Sequence, residues 1–550
     1  MNSNDHFGQA GSSSLGGPFG CGGSAVLGHD DLYRVIQPGW TFRQREVSPA
    51  VHQTSFGVSA QEQLPRSISA PAESSVELSQ SPIPVASWPA SGSGECVSLS
   101  NCAGFPADPQ IAVSATHVVV TARAVIAFYD KAGQLLQPPL TCASFFSPLG
   151  LFNPPYNIDY FFDARAIFDS YRGRFWIAAL GSQGGTAGAT KLLVGVSGSE
   201  DPTMGWYLYW WDAIAAPVFQ IGDSADYPIL GVDPVAFYQT NAVNNNGFRY
   251  WRVVFFPAAD MANGLPGPSI QGWQFWGWPN PDGSQVSRIQ PVVHHGLTSR
   301  TYFATRFGVD RVLIWTLADP LGPAQRLTRV IVQVARFGSP TPAPQRTPPG
   351  GVLPKPIETR NFGSDILKAI YRSDRLYLVA NDARDWDNRG EVLTSVRFLR
   401  LNVARYFPNL APSVGVEVDR VFGARSQVDD PPGAYAHYAW PAVEVTERGD
   451  AAVVYSRSGV SLYPEIRYSA YYANDPDIRP SRLVKAGEDA YAVTYSGYDP
   501  PTWAWADLAG ASADPADHSA VWLAHEYAVA RTPTTSPNGN FGVWVGKVRF

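Results

Sequence analysis

DPQIAVSATHVVVTARAVIAFYD, residues 108–130, sets the pattern of the whole chain. An aspartate opens an apolar run, Ser114-Ala115-Thr116 breaks it, a second run follows from Val118, and a third begins at Val125. Runs of this length, rich in Val, Ile and aromatics and separated by small polar residues, read as consecutive strands of an antiparallel meander.

The same outline returns six times. It opens at Asp163 in DARAIFDSYRGRFWIAAL, Asp226 in DYPILGVDPVAFYQTN, Gln290 in QPVVHHGLTSRTYFATRF, Asp365 in DILKAIYRSDRLYLVAND, Trp440 in WPAVEVTERGDAAVVYS, and Trp503 in WAWADLAGASADPADHSAVWLAHEY. The steps between openings are 55, 63, 64, 75, 75 and 63 residues. A four-stranded blade needs about forty to fifty, so each repeat carries loop insertions. Arg172-Gly173, Ser373-Asp374 and Arg448-Gly449-Asp450 sit where short hairpin turns belong.

The pattern predicts an all-β chain: a seven-bladed β-propeller over residues 81–550 behind a Ser/Gly/Pro-rich N-terminal extension, 1–80, that is either poorly ordered or an arm lying on the main body. Two consecutive β-sandwiches are the alternative, but they do not explain why every first strand resembles the others. The last repeat runs out at VWVGKVRF, so its fourth strand is expected from the segment between Ser81 and Trp88.

Composition agrees. The chain has 50 glycines, 47 prolines and 13% aromatic residues with 17 tryptophans, against 16% charged residues. That profile excludes coiled-coil and collagen classes. A formal net charge of −6 without a Lys/Arg run excludes a nucleic-acid partner of the usual basic kind. No apolar stretch is long enough for a transmembrane segment, and the first residues carry no readable signal peptide. Cys96 and Cys102 are spaced for a small disulfide loop or stay free thiols.

From Asp108 onward the chain resembles a family of mostly extracellular, functionally unassigned bacterial β-propeller proteins with sialidase-like, Asp-box-bearing blades. The likeness rests on DPQIAVSATHVVV with AVIAFYDKAGQLL, on FFDARAIFDSYRGRFWIA with VSGSEDPTMGWYLY, on DYPILGVD, on YPEIRYSAYYANDP and KAGEDAY, and on ADLAGASADPADHSAVWLAHEYA before FGVWVGKVRF. It implies a propeller fold and an extracellular or cell-surface setting, and no reaction. Where the family carries Arg-Trp-Gly-Asp-Tyr, this chain reads Ala504-Trp505-Ala506-Asp507-Leu508, keeping only Trp505 and Asp507.

Several groups of residues are candidates for chemistry. Asp108, Asp163, Asp226 and Asp365 open first strands, so they are expected either to ring one mouth of the channel as metal ligands, with calcium relieving their repulsion, or to cap turns. His294 or His295, with Tyr227, Arg165, His437 and Asp507, supplies the parts of a polysaccharide lyase or glycoside hydrolase. His525 and Glu526 are neighbours on one strand and must face opposite ways. Arg165, Arg300 and Arg425 are the arginines a sialidase would need. Asp385 to Glu391 outlines a calcium loop, with Arg389 where an oxygen ligand belongs.

Trp273, Trp276, Trp278, Trp440, Trp503 and Trp505 are candidates for stacking on a sugar or protein ligand. Two functions follow. The first is a non-catalytic binding propeller that holds a polysaccharide or protein ligand through loop aromatics and the channel mouth. The second is a carbohydrate-active enzyme with its site at the central channel.

Overall fold

The computed structural model describes residues 33–35, 41–46, 78–90, 106–184, 190–212, 220, 222–298, 300–388, 390–404, 414–423, 435–492, 502–531 and 540–550. The described chain is nearly all strand, with two five-residue helices at Cys142–Phe146 and Ala258–Ala262.

Each sequence repeat folds as a four-stranded antiparallel meander. The second runs through Tyr160–Asp169, Arg174–Ser182, Thr190–Ser197 and Trp206–Asp212. The third and fifth repeats are joined into one ten-stranded sheet by Val293–His295, which pairs in parallel with both, matching Val293 to Val232 on one side and to Ile370 on the other. The tight turns carry the residues their geometry demands: Gly173 has φ +63°, Gly449 φ +87°, and Ser373 and Asp374 have φ +50° and +58°, as in a two-residue hairpin turn.

The first strands lie side by side. Gln110–Val113 packs on Tyr160–Asp169, followed in order by Ser224–Val232, Gln290–Pro291, Ile366–Arg372, Ala436–Val445 and Gly510–Ala513, and the last of these packs back on Gln110–Val113. The seventh meander takes its fourth strand from upstream of the first: Ala86–Pro89 pairs with Phe541–Arg549, matching Trp88 to Val545. This is the role expected of the segment around Ser81 to Trp88. Two pieces of the N-terminal extension are also strands: residues 33–35 pair in parallel with Trp206–Asp212, and 41–46 with Gln271–Trp276. Cys96 and Cys102 lie outside the described residues.

The core is aromatic because flat sheets facing one another leave gaps that rings fill. Trp176 of the second repeat stacks on Phe237 of the third at 4.5 Å, and Trp278 meets Trp315 edge-on at 4.9 Å.

One local irregularity positions the site. The first strands of four repeats bulge near their leading ends, at Phe162/Arg165, Asp226/Ile229, Ile366/Lys368 and Ala439/Ala442. In three of these bulges a non-glycine residue takes a left-handed backbone: Asp163 (φ +57°), Tyr227 (φ +52°) and Trp440 (φ +59°). Asp108, just before its strand, does the same at φ +46°. Such conformations cost about 1–3 kcal/mol each and persist only where surrounding contacts impose them. Bulges re-aim side chains, and here they gather the repeat-opening residues at one end of the first strands.

Candidate functional site

Arg165 organises that end. It is buried, and its Nη2 donates to Asp108 Oδ2 at 3.0 Å while lying 3.8 Å from Asp163 Oδ2. Its Nε donates to the Pro228 carbonyl at 3.3 Å, so one guanidinium spans the first three repeats. Asp108 also accepts the backbone N–H of Asp507 through Oδ1 at 2.7 Å, which ties the seventh repeat to the first.

Asp507 is buried. Its Oδ1 accepts from Asn361 Nδ2 at 2.8 Å and its Oδ2 from the Tyr227 hydroxyl at 3.1 Å. Burial, reinforced by the charge of Asp108, pushes the Asp507 carboxyl up to about 8. Asp226, half-buried, is also driven well above the carboxylate range, by burial and then by Asp163, close enough to share a hydrogen bond with it. Glu526, fully buried, is raised by burial and by Asp108 and Asp507, and it accepts the Ala506 N–H. Asp507 and burial together hold the Tyr227 phenol well above its usual range. Carboxyls crowded round one guanidinium cannot all ionise, and the proton is kept where solvation is poorest.

Two residues not singled out in the sequence complete the wall. Phe362 meets Tyr227 edge-on at 4.5 Å, and the Arg288 guanidinium lies over the Phe362 ring at 4.3 Å. Arg288 is buried and its guanidinium has no hydrogen-bond partner among the described residues; burial draws its pKa down to about 10. The only sequence signal was Asn361-Phe362-Gly363, a turn-forming triplet whose Phe362 (φ +59°) and Gly363 (φ +52°) are both left-handed.

Of the carboxylates expected to ring a calcium ion, Asp108, Asp163 and Asp226 gather about Arg165. Asp365 does not join them: it is buried against Ser287 Oγ at 2.8 Å and Arg306 Nε at 3.1 Å. Among the described residues no three His, Cys, Asp or Glu side chains are arranged to hold a metal ion. Arg389, in the outlined calcium loop, lies outside the described residues, as does Arg425.

The lyase grouping is corrected. Tyr227, Arg165 and Asp507 come together, but His294 and His295 do not reach them. His295 is level with Arg372, and Val293 with Val232, five residues beyond Tyr227. At about 3.3 Å per residue this places the histidines roughly 20 Å along the strand. His294 is buried against Tyr302 and Tyr371, with Nδ1 on the Val292 carbonyl and its pKa drawn down to about 4 by burial. His295 Nε2 is 2.9 Å from Glu444 Oε1 and borders a separate cavity of about 380 Å³ with Tyr371 and Arg372. His437 and His525 are likewise buried: His437 accepts the Thr394 N–H, and His525 contacts the Trp440 carbonyl. Arg300 sits in the strand after His295, at that same far end.

Between the two ends the first strands enclose little space. A cavity of about 20 Å³, room for one water, lies among Gln110, Arg165, Gln290, Lys368 and Ala509.

The tryptophans are corrected too. Trp276, Trp278, Trp440 and Trp505 are buried, and Trp273 and Trp503 are half-buried. Trp440 Nε1 donates to the Glu358 carbonyl, Trp505 Nε1 to Ser456 Oγ, and Lys355 lies over the Trp503 ring at 4.3 Å. The four buried rings serve packing, because successive sheet faces need large rings to close on one another.

No family model and no curated protein matches this chain. Among solved structures it is similar to a Hadza microbial sialidase, at 11% identity and TM-score 0.34 over 80% of this chain and 65% of that one. It is similar to Trypanosoma rangeli sialidase at 10% identity and TM-score 0.33, over 80% and 58%. It is also similar to a Penicillium chrysogenum alpha-L-arabinanase complexed with arabinobiose, at 10% and 0.33, over 86% and 98%. The chain thus spans less than two thirds of the length of the two sialidases. Likeness at this level identifies neither a site nor a reaction. No helix among the described residues is long and apolar enough to cross a membrane.

Proposed function

We propose that the chain is a closed seven-bladed propeller acting as a glycoside hydrolase, with its reacting groups at the leading ends of the first strands. The cyclic order in which the first strands touch supports the closed ring. The observation that carries the enzyme reading is the contact of two partly solvent-open carboxyls, Asp226, whose pKa burial and Asp163 drive upward, and Asp163, 3.8 Å from the Arg165 guanidinium.

Unequal environments assign Asp226 the acid's role and Asp163 the base's, and a sugar entering between them would have to part the two carboxyls to the roughly 5–9.5 Å that glycoside hydrolysis uses. Asp226 gives its proton to the leaving oxygen as the glycosidic C–O bond breaks. Water adds to the anomeric carbon and its proton passes to Asp163. The contact between the two carboxyls then returns that proton to Asp226. Asp507 and Asp108 are buried and act as positioning residues, through Tyr227 and Arg165. Tyr227 and Phe362, half-buried and edge-on, offer the aromatic wall a sugar face stacks on. The substrate class is an extracellular or cell-surface oligo- or polysaccharide.

The test is release of reducing ends from a panel of neutral and acidic glycans by the full chain. Turnover that falls about 10²-fold or more in Asp226→Asn and in Asp163→Asn, with the unfolding transition retained, supports the reading. Turnover surviving both substitutions sinks it, and glycan binding without turnover returns the chain to the class of binding propellers.

A further inference from the structure

The third repeat carries a buried polar layer remote from the acidic cluster. Its strands Ala236–Asn244, Phe248–Pro257 and Gln271–Trp276 place Asn241 opposite Arg252 and Arg252 opposite Trp276, with Gln239, Val254 and Gln274 in line two residues along. Alternation puts all six on one face. That face packs on the second repeat, where Phe237 stacks on Trp176 and Phe256 lies 4.6 Å from Trp211.

Gln239, Asn241, Arg252 and Gln274 are completely buried there. Among the described residues no hydrogen-bond partner meets Arg252 Nε, Nη1 or Nη2, either amide atom of Gln239 or Gln274, or Asn241 Oδ1. The acidic groups that act on Arg252 are distant help: Asp212 is largely exposed and already paired with Lys191, and Tyr250 is a phenol. A buried guanidinium with neither counter-ion nor hydrogen bonds is among the least favourable arrangements a protein can hold, and its neighbours add further unsatisfied amides.

We infer that this layer is a binding site for one small monovalent anion, of the chloride class, enclosed between the second and third repeats. N–H donors outnumber oxygen acceptors among the described residues: the guanidinium and the two glutamine amide groups share this buried face with three unpartnered amide oxygens. Water alone satisfies hydrogen bonds but leaves the charge. A single halide accepts from the guanidinium and from Gln239 and Gln274, and it neutralises Arg252. A divalent anion overcompensates one cation.

The experiment follows thermal unfolding of the full chain at constant ionic strength while chloride or bromide replaces gluconate. The expected result is a midpoint that rises about 1–2 °C per tenfold increase in halide. In Arg252→Met, similar in length and uncharged, that dependence disappears. A midpoint indifferent to the halide in the native chain, or an unchanged dependence in Arg252→Met, overturns the assignment. If the variant does not fold, a bromide-soaked crystal of the native chain decides: an anomalous peak within hydrogen-bond reach of the Arg252 guanidinium is expected, and no peak there overturns it. Glycan turnover is not the readout, so the two proposals stand or fall separately.

Discussion

Arg165 and Asp108 form a buried ion pair at 3.0 Å across the boundary between the second repeat and the first, with both side chains only 3% exposed. A pair this deep is weak evidence of net stability, but breaking it leaves a charge stranded. Arg165→Met is therefore expected to lower stability by about 3–5 kcal/mol, and Arg165→Lys by less, because lysine keeps the charge and loses the fork. Denaturant midpoints of the two variants check this, and equal midpoints would show that the fork geometry is immaterial.

Asp507 makes stability fall as pH rises. Its folded-state value is about 8, far above that of an unfolded aspartate, so between about pH 4 and 8 the unfolded chain has released a proton that the folded chain keeps. The slope is negative over that window and levels off above it. Asp507→Asn, which mimics the neutral acid, should flatten the fall between about pH 6.5 and 8. Parallel stability curves for the two proteins would contradict the shift.

The buried histidines act in the opposite direction. His294 and His437 are held down to about 4 and His525 to about 3, in each case by burial. Unfolding lets them take up protons below about pH 6.5, so stability is lost as pH falls from there towards 4. His294→Asn should reduce the acid sensitivity and leave glycan turnover within about twofold, since the ring lies roughly 20 Å from Tyr227 by strand count. A collapse of turnover in a folded His294→Asn protein would reopen the lyase grouping.

Trp278 and Trp505 test the packing role of the tryptophans. Each is essentially fully buried, and truncation to alanine should cost about 3–5 kcal/mol. Calorimetric or denaturant unfolding reads this directly. Variants that unfold like the native chain yet lose ligand binding would restore these residues to a binding surface.

Trp88 carries the joint between the two ends of the body. It is 7% exposed and lies 4.7 Å from Tyr129 and 6.4 Å from Trp522, and the Gly133 backbone comes so close that a Cβ there would strike its ring. Trp88→Ala and Gly133→Ala should each destabilise, the second also because Gly133 has φ +87°. Unfolding midpoints of the pair check it, and a neutral Gly133→Ala would mean the ring can move aside.

The acidic cluster was legible in the sequence because it recurs in phase: Asp108, Asp163 and Asp226 hold one position in successive repeats, and a position repeated about an axis meets its copies. Asp365 holds the same position but turns to Ser287 and Arg306, because those partners come from a loop and a second strand that phase does not describe. Arg288, Asn361 and Phe362 sit in connections and carry no phase at all. Counting tryptophans could not tell an exposed loop from a sheet interface. His294 and His295 were placed on the correct strand, but their level along it, set by the register of Val293 with Val232 and Ile370, decides which end they occupy.

The pairing of Ala86–Pro89 with Phe541–Arg549 has a consequence for biosynthesis. The edge strand leaves the ribosome long before its partner, so it waits while the strands of all seven meanders are made. The contact joins strands far apart in sequence, which makes it a late and slow event in folding. A nascent chain released short of Phe541 leaves Trp88 without its seat and the last sheet without its edge. The joint therefore forms only in a chain made through Phe541–Arg549, and a product lacking that strand should be recognised by the surface it fails to cover.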